Sequence, residues 1–294
     1  MLFLLARTPL VTASGGVDED NAMMPATRTA HYAVQHESAS TFAAASPRVT
    51  AQFNSFGGEA LSIDFSLDAD AGRKSVREFG ISRAEIDALA QRCKSDAQCA
   101  QAQLSDQIDR YYSEHALRMR FDEKRSMHLY VDVPKVVQRN RTRVQPVAAA
   151  LRQLARERGQ DTQWTLEAAV ALVQTGLRYQ QPSSQEDGRK ILGFYPPPRA
   201  LEQGYGDCDT KSALLAAILQ NLTDAPIIGV HIPGHYLLGV AMEPAPGQTF
   251  MHYQGRQYVL VEAAGPAMRR PGEVARATEV ALHKREGMRI DPMF

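Results

Sequence analysis

The chain has 294 residues, 44% of them apolar and 7% aromatic, which suits one large folded domain or two ordinary ones. Its 33 Lys+Arg balance 33 Asp+Glu, so composition leaves no basic excess for nucleic acid or another polyanion. No apolar run reaches the roughly 20 residues of a transmembrane helix, which argues against an integral membrane segment.

In chain order, Met1 to Ala6 is a short apolar run without a basic start. Arg7 interrupts it, and Val11-Thr12-Ala13 resembles a small-residue cleavage site. Residues 1–27 therefore read as leader or disordered, with a degraded or wrongly started signal peptide preferred to a plain disordered terminus. Short alternating runs at His31–Val34, Arg48–Phe53 and Leu61–Phe65 predict half-buried strands. Ser82 with Glu85 forms a capping box, and a helical pattern carries Ile86, Leu89 and Ala90, then resumes through Leu104, Ile108, Tyr111, Tyr112, His115 and Leu117. Between the two halves lie Cys93 and Cys99, candidates for a local disulfide that would imply an oxidising compartment; two unrelated thiols are the alternative. Leu129–Val133 predicts a strand ending at Pro134. Arg139, Arg141 and Arg143 read as a solvated face. Residues 28–145 thus form an N-terminal α+β region without a recognisable chemical motif.

Pro146 starts a helix through Arg158, with Val147, Leu151 and Leu154 on one face, and Gly159 ends it. Asp161 or Thr162 caps the next helix, whose buried stripe is Leu166, Val170, Val173 and Leu177; Trp164 reads as a packing residue. Gln181 to Tyr205 reads as a long loop with Pro196-Pro197-Pro198, placed to form one wall of a cleft. Tyr195 in it reads as packing.

The stretch Gly204-Tyr205-Gly206-Asp207-Cys208-Asp209-Thr210-Lys211 carries the chemistry. Gly204 to Gly206 predicts a tight turn and Asp207 an N-cap, so Cys208 opens the apolar helix that runs through Leu219. A helix N-terminus favours a thiolate, the form a cysteine nucleophile requires. Asp209 reads as dipole complementation and Lys211 as a surface residue. Ile227–Val230 and Tyr236–Ala241 predict two strands around Pro233-Gly234, with His235 opening the second. Tyr258–Glu262 predicts a third, ending on a carboxylate. Cys208, His235 and Glu262 supply a nucleophile, a general base and a base-orienting acid. After Glu262 the chain turns polar, and Glu273–Glu286 predicts a short amphipathic helix in a tail of residues 266–294.

Gly206-Asp207-Cys208 before an apolar helix, Gly234-His235-Tyr236 on a strand and Tyr258 to Glu262 resemble the transglutaminase-like superfamily over about residues 146–265. Tyr195-Pro196 matches a Tyr-Pro segment of bacterial members. Glu262 stands where much of that superfamily has Asp, and reaches the same imidazole N–H from one methylene further away. The resemblance implies an α+β fold with a papain-like core, the Cys208 helix packed on an antiparallel sheet. It implies a bacterial cysteine protease or acyltransferase that acts on an amide bond of a protein or peptide, hydrolysis favoured over amine transfer, without metal or cofactor. Analogy with papain-like enzymes offers Gln203 as a second oxyanion donor; the Tyr205 hydroxyl is the alternative. The leader pattern and the cysteine pair point to the periplasm or cell envelope, with a cytoplasmic location as the alternative. Two other functional readings stand beside the enzyme: a binding module of the same fold without turnover, and a zinc site drawn from Cys208, His231, His235, His252 and Glu262.

Overall fold

The computed structural model describes residues 33–34, 48–95, 101–121 and 126–293, so the leader and Cys99 lie outside the described residues. At the N-terminal end, Arg48–Asn54 and Ala60–Ser66 form an antiparallel hairpin, and Ala33–Val34 pairs beside it. Alternation puts Val49, Ala51 and Phe53, with Leu61, Ile63 and Phe65, on the buried face. The helices Arg83–Ser95 and Gln101–Glu114 follow. Ser82 Oγ accepts a hydrogen bond from the Glu85 N–H at 3.4 Å, one half of the capping box. The other half does not form, because the Ser82 N–H donates to the Tyr111 hydroxyl and the Glu85 carboxylate takes Tyr111 and Arg189 instead. Cys93 is disulfide-bonded.

Three local expectations fail here. Leu117 does not continue the preceding helix: Ala116 takes a positive φ of 53° and ends it, and Leu117–Phe121 pairs with Met127–Val131 as a hairpin. Pro134 closes no strand. It lies in the first turn of the helix Val133–Asn140, where its missing N–H has no intrahelical role. Arg139 and Arg143 form no solvated face. Arg139 donates to the carbonyls of Glu78 and Glu114, at the carboxyl ends of two helices, and Arg143 pairs with Glu78 at 2.8 Å.

Helix Gln145–Glu157 lies between the N-terminal hairpin and the helix Cys208–Leu222. One continuous core therefore joins Phe53, Val76 and Val136 to Leu151, Leu215 and Leu238. Packing does not divide at residue 145.

The main sheet has five antiparallel strands in the order Phe250–Tyr253, Arg256–Val261, His235–Ala241, Ile227–Ile232 and Arg289–Pro292. The Cys208 helix packs on one face, over Tyr236, Leu238 and Val240. Ile228, Val230, Leu237 and Leu260 point to the other face, where Ala281 and Leu282 of the helix Arg276–Lys284 pack. Burial on both faces explains why these central strands are apolar without a break. The fold is α+β, with a helix packed on an antiparallel sheet as expected. The C-terminal stretch is more than a tail, because Arg289–Pro292 supplies an edge strand to the main sheet.

Candidate active site

Cys208 is the first residue of its helix. Asp207 caps it with extended backbone, φ −88° and ψ −167°, and its carboxylate accepts from the Thr210 N–H. The turn before it is built by two glycines. Gly204 takes φ 67° and closes the helix Pro197–Gln203. Gly206 lies so close to Thr210 that a Cβ there would stand 2.4 Å from Thr210 Cγ2. Tyr205–Gly206 then pairs in parallel with Arg178–Tyr179.

The helix is stitched to the His235 strand at one residue. The Tyr236 carbonyl accepts from Ser212 Oγ at 3.1 Å, and the Tyr236 backbone N–H lies close enough to the Cys208 sulfur to offset part of the rise in the thiol. Cys208 and Ser212 are four apart, on one helix face. His235 is the residue directly before Tyr236 and opens that strand. Its Nε2 lies 2.7 Å from Glu262 Oε2. Glu262 follows the last residue of the strand Arg256–Val261 and is 6% exposed. Burial pushes its carboxyl up, but the hydrogen bond and charge of His235 and a hydrogen bond from Thr278 outweigh it. The carboxyl therefore titrates below its ordinary range.

The thiol does not behave as its position in the helix predicts. Burial pushes Cys208 up to about 12, and the Asp209 and Asp207 carboxylates add to that; N–H groups of Tyr236 and Asp209 offset only part. Desolvation and two like charges outweigh the helix terminus, and the resting form at neutral pH is the thiol. Asp209 is itself raised well above the usual carboxyl range, first by burial and then by Asp207.

The two oxyanion candidates are engaged elsewhere. The Gln203 side-chain amide lies against the Arg199 guanidinium, and with its oxygen turned toward Arg199 it accepts from it at 3.1 Å. The Tyr205 hydroxyl meets the Tyr195 hydroxyl at 3.1 Å while Arg178 stacks on the Tyr205 ring. Tyr179 is an aromatic residue near the thiol that sequence reasoning missed. It is 52% exposed, and burial of its hydroxyl together with the charges of Cys208, Asp207 and Asp209 pushes it up to about 12. Its only sequence signal was a place just past the buried stripe that ends at Leu177.

Lys211 is no surface residue. It is fully buried, with Nζ donating to the carbonyls of Gln174 at 3.3 Å and Leu177 at 3.0 Å. Gln174 lies within a π-helical turn, Leu172–Gly176, and Leu177 follows its last residue. Burial lowers the Lys211 ammonium to about 7. Gln174 also donates to the Glu262 backbone carbonyl at 2.7 Å, so this turn ties the Cys208 helix to the end of the strand that carries Glu262.

The stretch from Gln181 to Tyr205 is no plain loop. It holds the helix Pro197–Gln203 and two short strands, Gln185–Glu186 and Arg189–Lys190. Glu202 staples it to the N-terminal helix Ala71–Arg77 through the Gly72 N–H at 2.9 Å. The zinc ligand types are scattered: His231 packs edge-on to Tyr236 and His252 against Phe250. Among the described residues, no group of three or more His, Cys, Asp or Glu comes together as a metal site. Comparison with protein-family models, curated proteins and solved structures returned no match for this chain.

Proposed function

We propose that the protein is a cysteine-nucleophile enzyme of transglutaminase-like, papain-like architecture that breaks an amide bond through Cys208, His235 and Glu262. One observation carries this reading: the His235–Glu262 contact at 2.7 Å, one residue before Tyr236, whose backbone N–H lies close enough to the Cys208 sulfur to ease its ionisation. Because Nε2 of His235 is taken by Glu262, Nδ1 is the nitrogen free to accept the thiol proton. The raised thiol favours deprotonation during attack over a resting ion pair. The sulfur then adds to the acyl carbon, and the oxyanion meets the Cys208 backbone N–H at the helix N-terminus. The imidazolium, held by the Glu262 carboxylate, returns its proton to the departing amine. Water activated by the same imidazole hydrolyses the thioester. A protein or peptide is the substrate class. The Cys93 disulfide supports an oxidising compartment, the cell envelope.

A non-catalytic binding module is the second reading, favoured by the raised thiol alone. An activated ester such as 4-nitrophenyl acetate separates the two. The enzyme should give a burst of one equivalent of nitrophenol and an acetyl adduct on Cys208. Cys208→Ala should remove the burst and His235→Ala should slow it strongly. Glu262→Gln should slow it less, since an oxygen acceptor for the imidazole N–H remains. A burst that persists in Cys208→Ala, or a rate unchanged in His235→Ala, sinks the catalytic reading.

A further inference from the structure

Glu262 is gripped from the far side of the sheet. Its Oε1 accepts from Thr278 Oγ1 at 2.8 Å and from the Ala275 N–H at 3.4 Å, while its Oε2 faces His235. Thr278 is 4% exposed and lies in the helix Arg276–Lys284, beyond the catalytic stretch legible in the sequence. We propose that Thr278 is a positioning residue: its hydroxyl holds one carboxylate oxygen of Glu262 so that the other is presented to His235, which makes this C-terminal helix a working part of the centre. The proposal rests on the catalytic reading above.

Three observations support it. A threonine in a helix usually returns its hydroxyl to the carbonyl three or four residues back; Thr278 instead reaches across to Glu262. The helix it opens has no side-chain cap of its own, since Ala275 stands at the N-cap. The Glu262 carboxylate takes that place, and the helix terminus in turn favours its charge. Finally, a glutamate has one more rotatable bond than an aspartate, so aiming Oε2 at an imidazole requires a second anchor. Thr278 supplies that anchor, with Gln174 holding the Glu262 carbonyl.

The test uses the full chain carrying Thr278→Val and Thr278→Ser. Valine keeps the shape and removes the donor. Two readouts apply: the carbon-13 titration of the Glu262 carboxyl, and the pH profile of acylation by 4-nitrophenyl acetate. In the valine variant the Glu262 titration should move to higher pH, because a donor to the carboxylate is gone. The acid limb of the acylation profile should move with it, and the plateau rate should fall about tenfold, the size of one hydrogen bond to a charged group. Serine should restore all three. If the valine variant does not fold, Thr278→Ala carries the same expectations. A folded variant with lowered thermal stability but an unmoved titration and acid limb would overturn the proposal. So would a wild-type rate. If the titration moves while acylation proves independent of Cys208, the contact stands and the catalytic reading fails, and the positioning role fails with it.

Discussion

Cys208 shows how a general rule yields to surroundings. Its place at a helix N-terminus favours the thiolate, yet burial and the Asp209 and Asp207 carboxylates raise it to about 12. The dipole is worth less than about 1 kcal/mol at most surface termini, whereas desolvation of a buried thiolate is larger. Asp209→Asn should therefore lower the midpoint of Cys208 alkylation in a pH series with iodoacetamide; an unchanged midpoint would show that Asp209 is neutral wherever the thiol titrates. Lys211 gives a second prediction at this scale. Its folded value, about 7, lies below the ordinary 10.5, so between those limits the unfolded chain binds more protons. Stability from this group thus rises with pH across that window, and its penalty is complete below about pH 7. In urea titrations from pH 7 to about pH 10, Lys211→Met should flatten that rise. Its two abandoned carbonyl acceptors cost about 1–3 kcal/mol each, independent of pH. An identical pH slope in wild type and variant would contradict the assignment.

The helix Cys208–Leu222 and the turn before it are built from close approaches. Gly206 leaves room for Thr210, whose hydroxyl accepts the Tyr195 N–H at 3.2 Å. An alanine methyl has no space there, since Thr210 is fully buried and cannot withdraw. Gly206→Ala should lower stability by about 1–3 kcal/mol, as overpacking does, seen as a lower urea midpoint with an unchanged slope. Asp207→Ala removes a cap worth about 1 kcal/mol and also relieves the carboxylate repulsion with Asp209, so it should cost no more than about 1 kcal/mol. If the two variants ranked the other way, the close approach at Gly206 would not be what shapes the turn.

On the scale of the whole molecule, residues 146–265 are not an independent body. Helix Gln145–Glu157 packs against the strand Ala60–Ser66 on one side and the Cys208 helix on the other. The edge strand Arg289–Pro292 is pinned by Arg118, which bridges Asp132 and Asp291 at 2.7 and 2.9 Å. A chain cut to residues 146–265 would expose the faces that Phe53, Phe65 and Val136 cover. It should show no cooperative unfolding transition by calorimetry, while the full chain should. A cooperative transition in the shortened chain would show that the shared core is dispensable.

Local signals told most where one residue type has one strong preference. Asp207 and Asp161 cap helices as read, the Pro233-Gly234 turn joins two antiparallel strands, and the strands around Tyr236 and Val259 are apolar because both their faces are buried. Proline was ambiguous: Pro134 and Pro197 serve helix starts as readily as strand ends or loops, and only neighbours decide between them. Lys211 and Thr278 carried no signal at all, because a lysine's burial and a threonine's partner depend on groups tens of residues away. The sequence by itself determined the strands and the helix around the candidate site, the cap and the order Cys208, His235, Glu262. Tertiary structure alone decided that Glu262 meets His235, that the thiol is buried among carboxylates, and that the last helix holds the acid. Distances and desolvation are properties of the packed chain, and no spacing along it encodes them.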